Sequence, residues 1–189
     1  KLHGDQFNAV KFSLNASEEE RKTSTEGLLA KQRKDSRLND ALVERVYNSG
    51  RYAELCCSGY AHPRLCGLWT GEFNGGWRYI YTMDANVNLQ AAPMNTGNIA
   101  DAPIGYINFI LRQLDDWQEN AYLSYRMHDA IQPSVNTDGD VAIGIESDWL
   151  YPFQYWNAGG SWLLLPIFEY WQCQGNQQIE ISDKVDLYK

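Results

Sequence analysis

Apolar residues recur at helical spacing in several stretches of the chain. From Leu38 to about Ser58, the positions Leu38, Leu42, Val43, Val46, Tyr47, Ala53 and Leu55 outline an amphipathic helix. Gly50 lies inside it at a cost of about 1 kcal/mol relative to Ala, which implies close packing or a local irregularity there. A second helix is expected from about Pro103 to Asn120, where Ile104, Ile107, Ile110, Leu111, Leu114 and Trp117 share one face. Asp101 is placed to cap it and Pro103 suits its first turn. A third opens at Ser161 and runs to about Cys173, with Gly175 as its C-terminal stop. Its segment Trp162 to Phe168 is apolar on every face, as in a helix buried within a larger assembly, and Pro166 should bend its first turns.

The rest of the chain is less periodic. Val10 to Leu14 alternates apolar and polar residues, which fits a short strand or an extended lead-in. Ser17-Glu-Glu-Glu20 reads as a capping box, with Ser17 as N-cap and Glu20 at the third helical position. The polar stretch that follows, to about Arg37, is expected to be a solvated helix or loop. Residues 59–82 and 129–160 are rich in Gly, Asn, Asp and aromatic residues, so they read as long ordered loops of the kind that carry function. Ser182 to Lys189 looks like the start of a further helix. The pattern predicts a mainly α chain with long aromatic and Gly-rich loops and at most a short N-terminal strand. Residues 1–37 read as a lead-in and linker helix, and 1–189 as one partial domain of a larger helical domain.

Composition narrows the function. A chain of 189 residues is long enough for a substantial core. Its net charge of −8 argues against nucleic-acid or acidic-membrane partners, which require an attracting basic surface. No apolar run approaches the roughly 20 residues of a membrane span. The first residues carry neither a signal-peptide core nor an initiator Met, so the chain reads as a mature or excised segment and its compartment stays open. The adjacent Cys56 and Cys57 would point about 100° apart on a helix, and no His completes a zinc-like spacing. The cysteines therefore read as buried free thiols, with no metal or cofactor expected. Seven tryptophans and twelve tyrosines suit a sugar site, where ring faces pack on the apolar faces of pyranoses.

The stretch from Trp69 to Gln90 holds the densest mixture of such groups. Asp84, Asn86, Asn88 and Gln90 fall at every second position, so an extended backbone would project all four to one side. Four hydrogen-bonding groups on one surface are costly to bury without partners. They read either as a network that staples the loop or as a polyol-binding row in which Asn86 and Asn88 orient a water or hydroxyls. Trp77, Trp149 and Trp156 are sugar platforms or plain packing. Glu72, Glu146 and Asp148 are candidate paired carboxylates or solvated loop acids. Asp84 could position Arg78 or a sugar hydroxyl, and His128 reads as an ordinary histidine.

Gly67-Leu-Trp69-Thr-Gly-Glu-Phe, Trp77 and Tyr81-Thr-Met-Asp-Ala-Asn86-Val-Asn88-Leu-Gln90 together resemble a characteristic region of glycoside hydrolase family 95, the family of α-L-fucosidases and α-L-galactosidases. Asn136-Thr-Asp138 resembles that family's His-Asn-Thr-Asp loop. Trp156-Asn-Ala-Gly-Gly-Ser-Trp162 with Glu169-Tyr-Trp-Gln-Cys-Gln-Gly175 resembles its Gly-Gly-Ala-Trp helix. Gly50-Arg-Tyr52 and Ser58 match the helix before the loop, and the similarity runs in order from about residue 3 to 180.

The resemblance implies part of an (α/α)6-barrel catalytic domain and inverting hydrolysis of α-linked L-fucose in an oligosaccharide or glycoconjugate. It implies that Asn86 and Asn88 hold the attacking water, and that Trp69, Trp77, Asp84, Gln90, Asn136, Asp138 and Trp156 contact sugar. The family's acid Glu and its water-activating Asp belong to segments downstream of this chain. The chain alone is therefore expected to be an inactive, incomplete toroid needing the remainder of its own domain. Two departures stand out: Ala91-Ala-Pro-Met-Asn-Thr-Gly97 replaces Met-Asn-Tyr-Trp-Pro-Ala, and Val135 replaces the loop His. A carbohydrate-binding module without chemistry and a helical interaction scaffold are the competing readings.

Overall fold

Helices carry most of the structure, a computed structural model that describes residues 2–67, 76–99, 101–143 and 154–175. The chain divides into two compact units, Lys1–Cys56 and Cys57–Lys189.

The first unit contains α1 (Leu2–Asn8), α2 (Glu18–Lys22), α3 (Thr25–Gln32) and most of α4 (Asp40–Cys57). Sequence periodicity gave no sign of α1. Its end is held from α4, where Arg51 donates to the carbonyls of Gln6 (2.8 Å) and Phe7 (2.7 Å) in the last helical turn. The capping box forms as expected: Glu20 N–H donates to Ser17 Oγ and Ser17 N–H donates to Glu20 Oε2. Residues 10–16 are an extended lead-in rather than a strand. Buried Glu44 fixes them, accepting from Leu14 N–H (2.7 Å), Ser13 Oγ (3.3 Å) and the Arg21 guanidinium (2.8 Å). The hydrogen bonds from Arg21 and Leu14 hold the Glu44 carboxyl down at about 2.

Helix α4 exists where the periodicity placed it, but it turns a different face inward. Ala41, Glu44, Arg51 and Glu54 are buried, while Leu38 before it and Val46 within it are exposed. The polar anchors win because they satisfy the lead-in and α1, which apolar side chains could not do. Burial pushes the Glu54 carboxyl up to about 7. Gly50 has open space where a Cβ would stand, so close packing does not account for it.

The second unit comprises a 3₁₀ turn (Gly76–Tyr79), β1 (Tyr81–Thr82), α5 (Asn86–Ala91), α6 (Pro93–Thr96), α7 (Ala102–Leu111), α8 (Leu114–Tyr125), β2 (Asn136–Thr137) and α9 (Gly159–Cys173). Helices α5, α6, α7 and α9 pack together around Val87, Met94, Tyr106, Ile110 and Leu163. The expected 103–120 helix is two helices. The chain turns at Arg112-Gln113, where buried Gln113 donates Nε2 to Phe109 O (2.9 Å). Asp101 occupies the N-cap position without a side-chain cap, and Pro103 sits in the first turn as expected. Gly105 is required, since a Cβ there would strike the carbonyl of Gly59.

Two residues one turn apart on α8 staple the second long loop. Asn120 Nδ2 donates to Gln132 O (3.2 Å) and Ala142 O (2.7 Å), and Ala142 N–H donates to Asp116 Oδ2 (2.7 Å). Helix α9 starts two residues before Ser161, and Gly175, at φ 71°, follows its end. Its apolar segment is not enclosed by the described residues: Leu163 and Pro166 are buried, whereas Trp162, Leu164, Leu165 and Phe168 are 41–50% exposed. All four cysteines are free, but Cys56, Cys57 and Cys66 are only half-buried and Cys173 is exposed.

No helix among the described residues is long and apolar enough to cross a membrane.

Candidate active site

The polar row is a helix, not a strand. Asn86 opens α5, so Asn86, Asn88 and Gln90 fan around its axis by about 200° per two residues instead of sharing one side. Asn86 and Gln90, four apart, share a face; Asn88 points elsewhere. Asp84 lies before the helix and is exposed. Gln90 is a loop staple, donating Nε2 to Arg64 O (3.1 Å) and Leu65 O (3.2 Å).

Asn88 faces inward and is 8% exposed. Its Nδ2 donates to the Trp162 carbonyl on α9 (2.7 Å), and its Oδ1 lies 3.2 Å from the Tyr106 hydroxyl on α7. The single proton of that hydroxyl is shared with Leu163 O, the nearer acceptor at 2.7 Å. A primary amide offers two donors and two acceptor lone pairs. These contacts use one of each, so half the hydrogen-bonding capacity of Asn88 remains open among the described residues.

The two strands join β1 to β2 antiparallel, with Tyr81 opposite Thr137 and Thr82 opposite Asn136, and Met83 N–H donates to Val135 O (2.6 Å). The pairing sets the Tyr81–Asp84 segment beside Asn136-Thr-Asp138. Its antiparallel register sends Asp84 and Asp138 to opposite ends of the ribbon. Asn136 is buried in the ribbon, while exposed Asp138 accepts from the N–H groups of Asp140 and Val141 (both 2.8 Å). Those bonds draw its carboxyl below the usual range.

Under β1 lies His62, 4% exposed, with its ring against Tyr81, Tyr106 and Phe109. Burial drives its imidazole down to about 3, opposed only by a hydrogen bond with the Val87 backbone, so it is neutral at physiological pH. Sequence reading passed over His62 and Tyr106, because neither belongs to a recognisable spacing.

Trp77 is the most exposed tryptophan among the described residues. It is 65% exposed and holds φ 58°, a left-handed conformation that costs a bulky residue about 1–2 kcal/mol. An exposed tryptophan held in a strained backbone needs a reason other than packing. Trp156 is half-buried, and Gly159 lets it close on the start of α9: a Cβ there would stand 2.6 Å from the Trp156 ring and 2.7 Å from Pro133. His128 stacks on Tyr122 at 4.8 Å, an ordinary surface contact. Trp69, Glu72, Glu146, Asp148 and Trp149 lie outside the described residues.

Strand pairing thus joins two of the segments that carry the resemblance, and Asn88 ties one of them to the third, α9. The sequence model of the glycosyl hydrolase family 95 catalytic domain matches residues 1–184. The chain belongs to that family. No curated protein matches it closely enough to add a relative. As a family 95 catalytic-domain chain it is a glycoside hydrolase with a carbohydrate substrate, and its mainly helical structure is consistent with such a domain.

Proposed function

We propose that the enzyme hydrolyses α-linked L-fucosides or L-galactosides with inversion, and that this chain supplies the water-positioning wall of the site. The observation that carries the reading is Asn88: a buried amide fixed at one donor and one acceptor, with one of each still available among the described residues. Asn88 holds the water that attacks the anomeric carbon, while Asn86, half-buried at the start of α5, faces another side of the helix. A carboxylic acid on the opposite face of the sugar protonates the leaving oxygen, as inversion requires. That acid and the base for the water come from outside this chain.

Trp77 is a platform for an apolar sugar face, with Trp69 and Trp156 as further aromatic contacts and exposed Asp84 for a sugar hydroxyl, while Gln90, Asn136 and Asp138 hold the loops that carry them. The architecture proposed is a partial (α/α)6 barrel, in which the remainder of the same domain covers the exposed stripe of Trp162, Leu164, Leu165 and Phe168. Burying such a stripe accords with the rarity of large exposed apolar patches.

The test uses the full-length protein that carries this chain, with an aryl α-L-fucoside and its L-galactoside counterpart, followed by proton NMR of the first-formed sugar. The β-anomer should appear first. An α-anomer first, or no turnover of either substrate, refutes the proposal. The isolated 189-residue chain should be inactive on both, and turnover by it would contradict the placement of the acid elsewhere.

A further inference from the structure

In a regular helix the carbonyl of Trp162 would accept from the N–H of residue 166. Residue 166 is proline and has no N–H, so that carbonyl lacks its regular helical donor. Asn88 Nδ2 supplies one at 2.7 Å from a helix 74 residues away in sequence. One residue on, Leu163 O accepts from Tyr106, whose hydroxyl also stands 3.2 Å from Asn88 Oδ1. Asn88, Tyr106 and Pro166 are all buried, Tyr106 fully so. The carbonyl freed by the proline therefore fixes which end of the amide is nitrogen, and the oxygen end is left beside the Tyr106 hydroxyl, whose single proton lies between Asn88 Oδ1 and the nearer Leu163 O. With the amide reversed, its oxygen would face the Trp162 carbonyl with no proton between them.

We infer that Pro166 and Tyr106 are positioning residues that lock the Asn88 amide in one orientation, so that its remaining N–H and lone pair stay aimed for the attacking water. The inference rests on the proposed role of Asn88. Proline is the least favourable residue in a helix interior, so a purely structural view expects its removal to be neutral or stabilising. Positioning predicts the reverse for activity. In Pro166→Ala the new N–H competes for the Trp162 carbonyl and the amide is released.

The experiment compares Pro166→Ala, Tyr106→Phe and Asn88→Ala in the full-length protein. Pro166→Ala should keep or raise Tm while lowering kcat by about 10-fold with KM nearly unchanged, the scale expected from misplacing a reacting group. Tyr106→Phe should show the same split more weakly. In protein labelled with ¹⁵N-asparagine, the side-chain amide signal missing from Asn88→Ala should exchange faster in Pro166→Ala than in wild type. Unchanged kcat in Pro166→Ala beside a large loss in Asn88→Ala would overturn the inference and leave the functional reading intact. Unchanged turnover in Asn88→Ala would overturn the functional reading instead. The positioning claim would then stand or fall on amide exchange, and an unaltered rate would sink it.

Discussion

Glu44 and Asn88 are both buried polar side chains on helices, and they are held by opposite means. Glu44, in the first unit, is a charge surrounded by donors: a guanidinium, a backbone N–H and a hydroxyl. Its partners leave little for a ligand to use, which is what a structural staple needs. Asn88, in the second unit, is neutral and only half used among the described residues. Burial alone marks neither residue as functional. The difference lies in the capacity left after the fold has taken its share.

Breaking the staple should have the largest effect on stability. Arg21→Ala leaves the Glu44 carboxylate in place without its cation, and it should lower the melting temperature at neutral pH more than Asn88→Ala, His62→Phe or Trp77→Ala. Adding Glu44→Gln should recover part of the loss; a strictly additive double variant would show that the two residues do not act as a pair. The pH profile has a definite sign. The folded pKa of Glu44 is about 2 against an ordinary 4.5, so its stabilisation is present above 4.5 and disappears as pH falls toward 2.

Asn88→Ala should cost less, about 1–3 kcal/mol, since it strips the Trp162 carbonyl of its side-chain donor and leaves the Tyr106 hydroxyl with Leu163 alone. Chemical denaturation measures this, and no loss would mean that the contact is incidental.

His62→Phe should change little at pH 7 and much below it. The folded pKa of about 3 lies under the ordinary 6.5, so the unfolded chain binds a proton first and wild-type stability declines as pH drops from 6.5 toward 3. The variant's thermal profile should be flatter over that window, and an identical slope would remove His62 as the cause. Smallest of all, Trp77→Ala should leave Tm unchanged or slightly raised, because its side chain is mostly in solvent. It should still weaken substrate binding, by about 5-fold in KM if one stacking contact is worth roughly 1 kcal/mol. A fall in Tm with KM unaltered would make it a packing residue.

Local signals carried much of the fold. The Ser17–Glu20 box, the extents of α4 and α9 and the first turn of α7 were all legible, because each depends on residues within a turn or two of one another. The break at Arg112-Gln113 was not, since no glycine or proline marks it and both helices continue the same apolar pattern. Alternating polar positions from Asp84 to Gln90 read as an extended row, yet tertiary contacts made by Val87, Asn88 and Ala91 turn them into a short helix. Family motifs pointed to Asn88 as a residue. Its partners stayed hidden because Tyr106 and Trp162 meet it from other helices, and no spacing along the chain announces a proline that frees a carbonyl for a distant amide.

The most direct measurement is turnover of an aryl α-L-fucoside by Asn88→Ala in the full-length protein, with folding checked by circular dichroism. Water positioning by Asn88 predicts a loss of at least ~100-fold in kcat in a protein that remains folded, as expected when a reacting water loses its fixed position. Wild-type turnover in a folded variant would contradict it.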